Sequence, residues 1–156
     1  MKIISLEGEN LASLAAPFHI DFAKGILADA GLFAISGNTG AGKSTLLDAI
    51  CLALFDAMPR FSNSRRGAAI GHAQSEESER VKSNDVRHIL TRGAANGFAQ
   101  VEFALDNGQH YQAKWSVKRA RNSAQGRLQA QEMQLIDCQD NQVLATKKTE
   151  VLALIE

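Results

Sequence analysis

Gly37-Asn38-Thr39-Gly40-Ala41-Gly42-Lys43-Ser44-Thr45 is the stretch whose reading decides the fold. It fits G-x-x-x-x-G-K-[ST], the phosphate-binding loop, or Walker A motif, of nucleoside triphosphatases. A triphosphate presents several anionic oxygens at once. Glycines let consecutive backbone N–H groups turn inward into a concave anion nest that a Cβ would obstruct. The N-terminus of a following helix adds unpaired donors and the positive end of its dipole. In such a loop the Lys43 ammonium reaches the β- and γ-phosphates and the Ser44 hydroxyl ligates Mg²⁺.

Working outward, Leu32-Phe33-Ala34-Ile35-Ser36 is a short apolar run that predicts a buried central strand leading into the loop. After Lys43, the pairs Leu46/Leu47, Ile50/Cys51 and Leu54/Phe55 recur at helical spacing and predict a helix packed by that stripe on a sheet. Pro59 disfavours helix at Met58, so the helix should end near Ala57. Strand, loop and helix stand in the order that the motif requires.

Upstream, Ile4 and Leu6 alternate with Ser5 and Glu7, and Phe18, Ile20 and Phe22 alternate with His19 and Asp21. These predict two antiparallel strands joined near residues 10–17. Downstream, Arg60 to Arg80 reads as a long surface loop, and Asp85 to Leu90 as a short helix with Asn84 as a cap. Ala99, Val101, Phe103 and Leu105 alternate with polar neighbours, Asn107-Gly108 signals a hairpin turn, and Tyr111, Ala113, Trp115 and Val117 continue the apolar face. Leu128 to Asp137 predicts a third antiparallel strand, and from about Thr146 the pattern is helical. The expected organisation is α/β in four segments: residues 1–58, with the strand pair, loop strand and helix; 59–97, a loop region; 98–145, an antiparallel β section; and 146–156, the start of a helix. That pattern runs to Glu156 without a stop signal, as expected of a piece of a longer chain.

A chain of 156 residues can bury a real core as one domain. No apolar run approaches the ~20 residues of a membrane span, and Met1-Lys2-Ile3-Ile4-Ser5 lacks the apolar h-region of a signal peptide. Cys51 and Cys138 lack pairing spacing and read as plain thiols of a reducing cytoplasm. The four histidines show no metal-ligand spacing, and His72 and His88 read as surface residues. Net charge is zero, yet Arg80 to Arg127 holds nine Lys/Arg against three Asp/Glu. Lys114, Lys118, Arg119, Arg121 and Arg127 either meet nucleic-acid phosphates or form a solvated face; Arg65 and Arg66 carry the same two readings. Tyr111 and Trp115 read as sheet packing, and Asp48 as an exposed helix residue, with a structural role near the loop as the other reading.

A triphosphatase of this type also needs an acidic residue after an apolar strand to complete its Mg²⁺ site. Asp56 belongs to the helix just after the loop and Asp137 sits in an antiparallel setting, so neither fits. That absence, with the initial strand pair and the hairpin, argues against a self-sufficient small kinase or GTPase.

The residues also carry a resemblance. Met1-Lys2-Ile3-Ile4-Ser5-Leu6, Asn10-Leu11-Ala12-Ser13-Leu14 and Ile20-Asp21-Phe22 resemble the start of the SbcC family. Gly31 to Gly37 and Thr45-Leu46-Leu47-Asp48-Ala49-Ile50-Cys51-Leu52-Ala53-Leu54-Phe55 are similar to its most recognisable segment. Leu90-Thr91-Arg92, Ala99-Gln100-Val101-Glu102-Phe103 and Trp115-Ser116 before Arg119-Ala120-Arg121-Asn122 continue the match, which is weakest over 60–83 and 123–150.

The resemblance implies a P-loop ATPase head of the ABC and SMC type, built from the two ends of a long polypeptide separated by a coiled coil. This chain would be the N-terminal half of that split head, with the signature motif, Mg²⁺ aspartate and catalytic glutamate elsewhere. Implied ligands are ATP and Mg²⁺. Implied partners are the C-terminal half of the same polypeptide, a second head, an SbcD-like nuclease and double-stranded DNA, in cytoplasmic DNA repair and recombination. Gly37 to Thr45 would hold the nucleotide, with Ser13, Thr91 and Arg92 nearby, and Ser44 would hold Mg²⁺; Ala12 stands where some relatives carry an arginine. The other open reading is a head of the SMC and RecF kind that tethers DNA without a nuclease partner.

Overall fold

The structure is a computed structural model that describes residues 1–61, 69–70, 81–82 and 84–155. Arg65, Arg66 and His72, with most of the expected loop around them, lie outside the described residues.

Among the described residues, eight strands form in chain order: β1 (Lys2–Glu9), β2 (Phe18–Asp21), β3 (Ala69–Ile70), β4 (Val81–Lys82), β5 (Asn96–Ala104), β6 (His110–Lys118), β7 (Glu132–Asp137) and β8 (Gln142–Ala145). Two α-helices join them, α1 (Lys43–Phe55) and α2 (Lys148–Ile155). Six strands make one sheet in the order β2-β1-β5-β6-β7-β8, and every ladder in it is antiparallel. β3 and β4 pair separately. The fold is thus α/β with an antiparallel sheet, as the sequence led us to expect.

Alternation builds the sheet. β5 turns Gly97, Ala99, Val101 and Phe103 to the buried side, and β6 answers with Ala113, Trp115 and Val117. The register sets small against large: Ala99 faces Trp115, and Ala113 faces Val101. That complementarity lets the two backbones pack at native density under one layer of side chains. The turn between them closes at Gly108, whose φ of 82° suits glycine, while the Asn107 carboxamide oxygen accepts from the Gln109 N–H at 3.1 Å. α1 covers the buried face over β5 and β6, and α2 covers it over β7 and β8. The opposite face is polar, with Glu7, Gln100, Lys114 and Gln134 in one cross-strand row.

Four details depart from the sequence reading. β8 was not expected, because Val143 and Leu144 stand side by side and show no period of two. It returns along β7 through a turn at 138–141, with Asn141 left-handed at φ 57°. The short helix after Asn84 is a 3₁₀ turn over Val86–Ile89, capped by the Asp85 carboxylate rather than by Asn84. α1 ends at Phe55, with Asp56 as its cap.

The larger departures concern the loop's surroundings. Residues 32–36 enter no ladder, and Leu32 is 93% exposed. A strand exists only through a neighbour's hydrogen bonds, and among the described residues none pairs with this segment. The buried side of α1 is also rotated from the expected stripe. Thr45, Asp48, Ala49, Leu52, Ala53 and Leu54 are buried, whereas Leu47 is 55% exposed. The helix is apolar around most of its circumference, so periodicity could not choose its face. Small Ala49 and Ala53 are the residues that let its backbone approach the sheet.

Candidate nucleotide site

Loop 37–45 turns directly into α1. Gly40 has φ 85°, and a Cβ there would meet nothing within 4 Å, so the loop is open on that side. Gly42 is the helix N-cap with φ 88°, and a Cβ there would lie 2.5 Å from Leu14 Cδ2. Glycine is required at 42 twice over: for the left-handed backbone and for the leucine pressed against it.

The N–H groups of Lys43, Ser44 and Thr45 have no acceptor among the described residues; the first helical bond is from Leu46 N–H to Gly42 O at 3.1 Å. Gly42 has no side chain to cap them. Lys43 Nζ donates to Gly37 O at 2.7 Å and Asn38 O at 2.8 Å, folding its ammonium back across the loop mouth. Residues 37–41 and Ser44 are exposed. Open donors, a helix N-terminus and one ammonium, with no carboxylate partner among the described residues, make a cradle for an anion with several oxygens.

A metal would need help from that anion. Among the described residues no group of three or more His, Cys, Asp or Glu is placed to hold an ion. Ser44 supplies a single hydroxyl, which suits Mg²⁺ only as a cation bound mainly by phosphates and water. The two aspartates set aside from the sequence are occupied. Asp56 takes Trp115 and Gln131 as donors, and Asp137 Oδ1 accepts from Gln139 N–H at 2.9 Å.

The structure brings a second segment against the loop. Leu11 and Leu14 exchange backbone hydrogen bonds of 3.0 and 2.8 Å, forming the tight turn that aims Leu14 at Gly42. Ser13 lies in this turn and is exposed. Thr91 is tied to the same turn, its Oγ1–H donating to Ala12 O and its N–H to Asn10 O, both at 2.9 Å. Arg92 follows on the surface. Ala12 holds φ 47°, a left-handed backbone that an alanine adopts only under such constraint.

Below the turn, Asp85 accepts from Arg87 N–H at 2.9 Å and from its guanidinium at 2.8 and 2.6 Å. Burial raises the Asp85 carboxyl, but these bonds outweigh it and hold it below the usual carboxylate range. Burial also raises the Cys51 and Cys138 thiols.

Three residues of consequence escaped the sequence reading. Asp48 is buried and ion-paired with Arg60, against the expectation of an exposed position. Its spacing from Thr45, Ala49 and Leu52 was the available signal. Leu14 and Asp56 gave no local signal, since both act through long-range contacts. The basic run is largely engaged: Lys118 pairs with Glu132 at 2.7 Å, Lys114 lies 4.8 Å from the Phe98 ring centroid, and Arg119 donates to Ala94 O and Gly126 O. Trp115 is fully buried, as expected of sheet packing.

The AAA domain family matches residues 5–152. The chain is 50% identical over 147 residues to the SbcC component of the SbcCD nuclease of Rhodobacter capsulatus, covering 94% of this chain and 12% of that protein. It is 45% identical over 148 residues to the SbcC component of the SbcCD nuclease of Pseudomonas aeruginosa, covering 95% and 12%. The protein of the same name from Bacillus subtilis is 42% identical over 74 residues, 47% of this chain and 6% of its own. The resemblance to the SbcC family is therefore borne out, and the chain spans about an eighth of the first two relatives' length. With that match along nearly all its length, the chain belongs to the AAA domain family, which supports nucleotide binding as its role.

Proposed function

We propose, from that family membership, that this chain is the ATP-binding N-terminal part of the ATPase subunit of an SbcCD-like complex. The whole protein would work with an SbcD-like nuclease on double-stranded DNA ends and hairpins, in cytoplasmic repair and recombination. The observation that carries the reading is the set of three N–H groups at the start of α1 that have no acceptor among the described residues, beside the Lys43 ammonium.

Gly37 to Thr45 would bind the nucleotide, with the loop N–H groups and Lys43 on its phosphates and Ser44 on Mg²⁺. A bound Mg²⁺ supplies charge neutralisation to the phosphates. The chain's own residues do the rest. Leu14 presses on Gly42 and keeps the loop in its left-handed turn, and Thr91 holds the backbone that carries Leu14. Ser13 and Arg92 stand on the exposed rim of the same cluster. Hydrolysis would need the C-terminal half of the same polypeptide and a second head, as the resemblance to the SbcC family implies. The relatives' names favour a nuclease-partnered head over a bare DNA tether. No helix among the described residues is long and apolar enough to cross a membrane.

The test is an equilibrium titration with a fluorescent ATP analogue, together with a pull-down of an SbcD-like nuclease by the full-length protein. Binding should fall about a hundredfold in Lys43→Ala, the loss of roughly 3 kcal/mol of charge-assisted hydrogen bonding, and the 156-residue chain alone should show no steady turnover. Steady ATP hydrolysis by this chain alone, abolished by Lys43→Ala, would sink the split-site reading.

A further inference from the structure

α1 ends on a residue that a helix end does not favour. Asp56 is left-handed at φ 48° and buried. Glycine takes that backbone without strain, a carboxylate at a helix C-terminus faces the negative end of the dipole, and a buried anion loses its hydration.

Three donors offset these costs, each from a different part of the chain. Trp115 Nε1–H, on β6, donates to Oδ1 at 2.7 Å. Gln131 Nε2–H, just before β7, donates to Oδ2 at 2.8 Å. The Lys148 ammonium, at the first residue of α2, pairs with Oδ2. Only the carboxylate of this pair is buried, the Lys148 side chain being 51% exposed; such a pair adds little net stability, and the best-attested use of a buried charge is to fix register. α1 needs such a fix. Its sheet-facing side includes Ala49 and Ala53, which are too small to interlock strongly along the helix axis.

We infer that Asp56 is a positioning residue for loop 37–45, and that Lys148 tunes nucleotide affinity through it. A helix of 13 residues carries a displacement at Asp56 to Lys43 and Ser44, about 20 Å away. Moving that end moves the three unpaired N–H groups relative to Leu14, which is held by a different part of the chain. The inference rests on the nucleotide reading of the loop.

The experiment measures ADP affinity and melting temperature of the full-length protein as wild type, Lys43→Ala, Lys148→Met, Lys148→Arg, Asp56→Asn and the Asp56→Asn/Lys148→Met double variant. Lys148→Met should weaken ADP binding about fivefold or more, and Lys148→Arg should restore it. Asp56→Asn should weaken it too, with the double variant no weaker than the worse single. If Asp56→Asn fails to fold, the two Lys148 variants decide alone. A lowered melting temperature with wild-type affinity in Lys148→Met overturns the inference and leaves Asp56 a structural clasp. Fully additive losses in the double variant overturn it as well. No ADP binding by wild type, or binding unchanged in Lys43→Ala, overturns the nucleotide reading itself, and this inference with it.

Discussion

At its N-terminus α1 leaves the N–H groups of Lys43, Ser44 and Thr45 without an acceptor among the described residues, beside a loop exposed from 37 to 41. At its C-terminus the Asp56 carboxylate is buried against three donors, from β6, from the residue before β7 and from α2. Both ends carry left-handed residues, Gly42 at φ 88° and Asp56 at φ 48°. One helix thus has an end whose donors are open among the described residues and an end whose bonds are completed by the protein. The difference teaches that unsatisfied polar groups inform only when exposed and convergent; a satisfied buried charge reports what must stay still.

The strongest way to break this comparison is Asp56→Ala. It leaves the buried Trp115 indole N–H and the half-exposed Lys148 ammonium without their acceptor, and should cost about 3 kcal/mol, the upper end of the penalty for an unsatisfied buried donor. A urea unfolding curve checks it. A midpoint within error of wild type would show that the C-terminal end is not a completed clasp.

Gly42→Ala tests the other end. The new Cβ would sit 2.5 Å from Leu14 Cδ2 at φ 88°, so stability should drop by about 1–3 kcal/mol. Adding Leu14→Ala should relieve the overlap but not the backbone strain. Calorimetry of the two single variants and the double variant separates these parts, and equal melting temperatures for Gly42→Ala and the double variant would remove Leu14 from the account of the loop.

The smallest effect belongs to Asp85, which serves neither end of α1 directly. Its carboxyl is held below the usual range, because its bonds to Arg87 outweigh the opposing effect of burial. A depressed folded value means stability fully present above the unfolded value of about 3.9 and lost as pH falls through the folded one. Asp85→Asn should therefore cost about 1 kcal/mol at neutral pH, with the gap to wild type closing under acid. Chemical denaturation at pH 7 and in steps below pH 4 follows it, and a gap constant with pH would refute the charged cap.

How much of this was legible can be traced residue by residue. The hairpin of β5 and β6 was readable because alternation at Val101, Phe103, Ala113 and Trp115 is a local pattern with one meaning, and Asn107-Gly108 marks its turn. The strand at Leu32 to Ser36 was misread because apolar character shows a wish for burial without naming a partner. The stripe on α1 was misread because Leu46, Leu47 and Ile50 are as apolar as Ala49, Leu52 and Ala53. Asp48 was passed over because a carboxylate amid an apolar helix reads as exposed until Arg60 is placed beside it.

The sequence by itself determined what short-range chemistry can encode: the glycine spacing and lysine of the loop, the helix after it, the period of the strands, and a match to one family along the chain. Only the tertiary structure decided which side of α1 is buried, where Leu14 presses, and what surrounds Asp56. Those facts depend on pairs such as Asp56 and Lys148, or Leu14 and Gly42, that lie 92 and 28 residues apart in sequence. Contacts across such separations are chosen by the packing of the whole chain, and no local pattern of side chains specifies them.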